Sequence, residues 1–111
     1  MEHRMKLWND YFLKIKYGKK DIELRLYDQK RQMIKVGDII VFTNNISKEE
    51  IRCEVINLHR YKTFEELYNS FDKTRLGYLV DEEASYKDME QFYLKDEIKK
   101  YGVVGIEFKK L

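Results

Sequence analysis

The sequence has no proline in its 111 residues. It also has no Gly/Ser-rich tract and no internal repeat, so no segment reads as a linker. That length suits one modest core, and residues 1–111 are expected to form a single domain. Cysteine is nearly missing as well. Cys53 alone excludes an internal disulfide and fits a reducing compartment, so a cytoplasmic location is expected. It stands in an apolar-alternating run and reads as a small buried hydrophobe. The two histidines, His3 and His59, lie far apart, and with one cysteine they cannot build a structural zinc site. No metal or other cofactor is expected. The longest aliphatic run, "IIVF" at 39–42, is far too short to span a membrane, and the opening "MEHRMKLWND" lacks the apolar run of a secretion signal. No Ser/His/Asp triad pattern, phosphate-cradling P-loop or dinucleotide fingerprint occurs.

What the chain does have is charge and apolar residues in quantity, 38% and 43% of its residues. The net charge of +2 is too small to announce a nucleic-acid binder, but its distribution is uneven. Residues 1–37 carry ten Lys or Arg against five Asp or Glu, and residues 38–111 carry twelve against fifteen. A one-sided field of this kind favours a polyanionic partner at the basic end. The ordinary origin of such a run is a solvated face, so charge alone assigns nothing.

The apolar spacing organises the chain. Residues 3–8 read as a short strand, then "NDYFLKIKYG" reads as a helix with Asn9 as N-cap and Gly18 just past its end. Trp8 falls in phase with Phe12 and Ile15 and is expected in the core. Strands follow at 21–26, 37–43, 50–58 and 103–109, with Asn44-Asn45 turning the middle pair into a hairpin. Thr63 with Glu66, and Ser85 with Asp88, have capping-box spacing and open helices; a further helix at "KDEIKKY" ends at Gly102. The sum is an α+β fold on a small curled sheet or barrel, with Ile22, Leu24, Ile40, Phe42, Val55 and Ile106 as core candidates.

Chemistry concentrates at 18–25. Gly18 permits a tight helix-to-strand passage in which backbone can approach a ligand. Lys19 and Lys20 precede a strand whose apolar Ile22, Leu24 and Leu26 alternate with Asp21, Glu23 and Arg25. Glu23 and Arg25 share a face. There they either pair with neighbouring strands or line a concave site, Arg25 offering a planar fork, Glu23 orienting it and Lys20 adding a second cation or an amine nucleophile. Elsewhere, "HRYK" at 59–62 interleaves cations with an aromatic ring. Arg60, Tyr61 and Tyr27 are therefore candidates for phosphate contacts and base stacking. The acids Asp81, Glu82 and Glu83 could hold a divalent cation, but three acids ahead of a helix ordinarily just favour its positive end.

The pattern Gly18-x-Lys20-x-x-Glu23-x-Arg25 resembles the Gly-x-Lys-x-x-Glu-x-Arg signature of ASCH domains, the activating-signal-cointegrator homology family. "MKLWNDYFLKIKYGKKDIELRLYD", "IKVGDIIVF" and "KKYGVVGIEF" look like a small bacterial ASCH subfamily in the same order. The resemblance implies a PUA-like β-barrel with flanking helices and a cleft beside the signature. It also implies RNA or a nucleotide as ligand, with Lys20, Glu23 and Arg25 in the cleft. One bacterial branch of the family hydrolyses N4-acetylcytidine with a lysine, a threonine three residues on and a distant glutamate. Here Lys20 matches the lysine, Glu23 replaces the threonine, and the distant acid falls on Glu82 or Glu83. Other members have been assigned ribonuclease activity. The leading expectation is thus a monomeric RNA- or nucleotide-binding domain that does not engage a membrane. The alternatives are a hydrolase of a modified nucleoside or RNA, with Lys20 and Glu23 as catalytic groups, and a protein-interaction module.

Overall fold

A computed structural model describes all 111 residues. Five strands, β1 (Glu2–Leu7), β2 (Ile22–Leu26), β3 (Ile39–Asn44), β4 (Glu50–Tyr61) and β5 (Val103–Lys110), form one curled sheet of order β1-β3-β4-β5-β2. Only the β1–β3 pairing is parallel. Helix α1 (Asn9–Lys16) follows β1, whereas α2 (Phe64–Ser70), α3 (Lys73–Leu76) and α4 (Lys95–Tyr101) lie between β4 and β5. The fold is the expected α+β, PUA-like arrangement, and none of its helices is long and apolar enough to cross a membrane.

β4 is what curls the sheet. Its first half pairs with β3, and its second half pairs only with β5 past a bulge between Val55 and Asn57. A bulge inserts an unpaired residue, which bends the strand and increases its twist. The strand therefore outruns the expected 50–58, because β5 supplies backbone partners as far as Tyr61.

The expected single core divides in two. Inside the curl, Ile40, Phe42, Val55 and Ile106 pack with Phe12 and Ile15 of α1. Ile22 and Leu24 instead join Leu26, Phe64, Leu67, Leu76 and Val103 on the opposite face, beneath α2 and α3. The β2–β5 register is the reason. Glu23 lies opposite Ile106 and Leu24 opposite Gly105, so the pleat turns the polar residues of β2 toward the concave side.

The helix ends differ from the sequence reading in detail. Asn9 is the first helical residue rather than the cap, and its Oδ1 accepts from Asn44 Nδ2 at 2.9 Å. Asn44 is buried, and its own Oδ1 accepts the Ile46 N–H, so it knots the β3–β4 turn to the start of α1. At the other end the Gly18 and Lys19 N–H groups bond back to the Ile15 and Lys14 carbonyls, with Gly18 at φ +74°. This is the paired C-terminal closure that favours glycine. Thr63 caps α2 through Glu66 N–H. Ser85 opens a 3-10 segment, Tyr86–Gln91, rather than an α-helix.

Gly102 links α4 to β5 at φ +70° and ψ −170°, a region open essentially to glycine alone. A Cβ there would stand 2.9 Å from the main-chain oxygen of Tyr61, which the sheet cannot move aside. Gly102→Ala is expected to lower the unfolding free energy by about 1–3 kcal/mol, read from urea denaturation. An unchanged midpoint would show that this junction is not strained.

Candidate functional site

β1 and β2 are the two edges of the curled sheet. Arg25 Nη2 reaches from one edge to the other, donating to the Lys6 carbonyl at 3.3 Å. A cavity of about 310 Å³ opens here, with Lys20, Glu23 and Arg25 in its lining. The structure thus brings the three signature side chains together.

Their geometry is that of a buried charge cluster. Glu23 Oε2 accepts from Arg25 Nε at 2.8 Å and lies 2.7 Å from Nη2, while Oε1 lies 3.4 Å from Lys20 Nζ. Lys20 Nζ also donates to the carbonyls of Ile22, at 2.6 Å, and Leu76, at 2.9 Å. Side-chain exposures of 2% for Lys20, 8% for Glu23 and 15% for Arg25 place the arginine nearest solvent. Burial pushes the Lys20 ammonium below its ordinary pKa, against the pull of Glu23. Burial would raise Glu23, but Arg25 and then Lys20 outweigh it and hold the carboxylate below the usual range.

Neighbouring elements hold this cluster in place. Gly77 closes α3 at φ +110°, and a Cβ on it would come within 3.2 Å of Lys20 Cδ, so the glycine leaves room for the lysine stem. Arg75 fixes α3, and with it the Leu76 carbonyl, through Asp21 at 3.0 and 3.1 Å and Glu107 at 3.1 Å. With three acceptors around its three N–H bonds, Lys20 is a structural ammonium more readily than a free amine.

The walls are aromatic, and the sequence reading missed most of them. Trp8, expected in the core, is 53% exposed and lines the cavity. It stands at the strand-to-helix junction, so helical phase does not govern its direction. Its ring centroid is 5.0 Å from Phe92, and Tyr11 is 6.3 Å from Trp8. Also in the lining, Tyr78 donates to Asp88 Oδ2 at 2.7 Å and meets Tyr68 at 2.8 Å. Burial raises Tyr68 to about 12 and Tyr78 higher still, so both hydroxyls stay protonated. Asp88 therefore does not serve as a reciprocal cap for its helical segment. Glu82 lines the cavity, and Glu83 does not. No spacing rule marks Phe92, and the spacing that singled out Asp88 read it as a cap, because only tertiary packing brings their segment to the cleft.

The other candidate residues lie elsewhere. Lys19 is exposed beyond α1 and does not line the cavity. Tyr27, Arg60 and Tyr61 line a separate open groove beside α4. The model of the ASCH domain matches residues 5–111.

The chain belongs to the ASCH family. Among solved structures, hypothetical protein PH0355 is 35% identical, with a TM-score of 0.84 and 100% of both chains covered. Protein PF0455 from Pyrococcus furiosus is 34% identical, with a TM-score of 0.76, covering 100% of this chain and 98% of that one. A ZmASCH mutant protein from Zymomonas mobilis shares the fold at a TM-score of 0.69 and 14% identity, over 97% of this chain and 68% of its own. No curated protein matches the sequence. In this ASCH chain the signature lysine, glutamate and arginine form a single linked charge cluster, with Glu23 between the two cations.

Proposed function

We propose that the ASCH cavity binds a nucleotide-like ligand, either a base of single-stranded RNA or a free nucleotide. The observation that carries this reading is the Glu23–Arg25 pair on the floor of a cavity walled by Trp8, Tyr11 and Phe92. A planar heterocycle can stack on such a wall, worth about 1–3 kcal/mol per base, while a guanidinium fork held rigid by Glu23 meets a base edge or a phosphate. The association of the ASCH family with RNA supports a nucleic-acid ligand.

Affinity for labelled single-stranded RNA is expected to fall steeply with salt as phosphate contacts displace counterions. Arg25→Ala and, separately, Trp8→Ala are each expected to weaken binding by about 1–3 kcal/mol. Trp8 is half exposed, so its variant keeps the fold, which circular dichroism checks. Titrations showing no salt dependence, or full affinity in both variants, would count against the reading.

A second reading is hydrolysis of an acylated nucleoside such as N4-acetylcytidine, and one observation favours it: Asp88 in the cavity lining offers a carboxylate held by Tyr78. Against it, both Glu23 oxygens are engaged and Lys20 has no free lone pair, which makes each a poor proton acceptor. Release of cytidine by the wild-type chain, abolished by Asp88→Asn, would establish that activity.

A further inference from the structure

The second groove is about 760 Å³ and is bordered by the end of β4, α4 and the residue that follows β2. Its cations are Arg60 and Lys62 on one side and Lys95, Lys99 and Lys100 on the other, with Glu66 the one acid in the lining. None of the five takes part in an ion pair. Lys95 and Lys99 sit four residues apart on α4 and so lie on one face of the helix. Asp96 and Glu97 in the first turn and Lys99 and Lys100 in the last suit the helix dipole, so the cations that face the groove are left free for an outside partner. Aromatic rings are interleaved: the Arg60 guanidinium lies 4.1 Å from the centre of the Tyr27 ring, and Lys100 Nζ lies 5.1 Å from that of Tyr101.

The groove is separate from the cleft, and β2 with the residue after it runs from one to the other. Glu23, Arg25 and Tyr27 follow one another at alternate positions along β2 and its extension. Tyr27 N–H donates to the Gly102 carbonyl at 3.0 Å, which holds it beside the end of α4. Two residues of extended chain advance roughly 7 Å, within reach of one nucleotide. We propose that this groove binds the sugar-phosphate backbone of a single-stranded RNA whose base occupies the cleft, with Arg60, Lys62 and Lys99 on phosphates and Tyr27 stacking. A concave track of cations and rings suits a polynucleotide strand. The ligand class is then an RNA strand rather than a free nucleotide, an inference that rests on the nucleotide reading of the cleft.

The test compares fluorescence anisotropy of a labelled mononucleotide and a longer labelled single-stranded RNA on the wild type and on a Lys62→Glu/Lys99→Glu double variant. Both lysines are exposed, so the fold is retained; Arg60→Ala provides a second variant. The wild type is expected to bind the longer RNA at least ~10-fold more tightly than the mononucleotide. The double variant is expected to keep mononucleotide affinity, lose that advantage, and show a salt slope shallower by about two. Unchanged affinity and slope for the longer RNA in the variants would overturn the proposal, as would an equal loss for both probes. Binding to anionic vesicles that needs the same lysines, without length-dependent RNA binding, would also overturn it. Groove-dependent RNA binding with no mononucleotide affinity would support the groove while refuting the cleft reading.

Discussion

Glu23→Ala is expected to lower the unfolding free energy by about 3–5 kcal/mol, because removing one member of a buried ion cluster strands the others. Glu23 sits between Lys20 and Arg25 and accepts from the arginine at 2.8 Å. Without it, two desolvated cations face each other across a small cavity. Glu23→Gln keeps the shape and loses the charge, so it separates electrostatics from packing and should cost nearly as much. The pH dependence has a definite sign. The folded pKa of Glu23 lies below its ordinary 4.5, so its contribution is complete above that value and is lost as pH falls through the folded one. The folded pKa of Lys20 lies below its ordinary 10.5, so the cost of burying its charge is relieved as pH rises from that folded value toward 10.5. Urea denaturation of wild type and variants across pH measures both. A Glu23→Ala loss under about 1 kcal/mol would place the cluster among solvated surface pairs.

Phe12→Ala is expected to cost about 3–5 kcal/mol, the range for emptying a buried aromatic site. Phe12 is fully buried, and together with Ile15 it seats α1 against the core that contains Phe42 and Phe108. Eight residues cannot sustain a helix alone, so α1 depends on that face for its order. Trp8 and Tyr11, at the start of this helix, line the cavity, so the substitution should also weaken the RNA binding proposed for it without touching a ligand. Each kilocalorie lost lowers the melting temperature by several degrees in a domain of this size. Calorimetry with a parallel binding titration tests both effects. A stability change no larger than that of Trp8→Ala would show that α1 is not held through Phe12.

Local signals carried much of this far in the sequence. Alternation over 21–26 and 103–109, the threonine at the start of α2, and the glycines ending α1 and α4 each depend on residues within a few positions. Such signals can be read without the fold. The order Gly18, Lys20, Glu23, Arg25 was legible as an ASCH signature for the same reason, since eight consecutive residues contain it. The expected assignment of Ile22 and Leu24 to the barrel interior failed on a non-local fact. Alternation shows that a strand has two faces, but only the pairing of Glu23 with Ile106 shows which face looks inward.

The sequence by itself determined the five strands and most of the helices, the α+β class, the family and the residues of the charge cluster, but not α3 or the 3-10 character of Tyr86–Gln91. Only the tertiary structure decided what surrounds that cluster. Trp8 and Phe92 are far apart in the chain yet stand 5.0 Å apart at the cavity, and Asp88 turns from an apparent helix cap to a partner of Tyr78. The C-terminal lysines of α4 belong to the half with the negative balance, yet the return of the chain into β5 sets them beside Arg60 and Tyr27 in one basic groove. The physical reason is the same in each case. Helix and strand formation is decided over a few residues, whereas a cleft is defined by where separate elements meet, and that depends on register and packing across the whole chain.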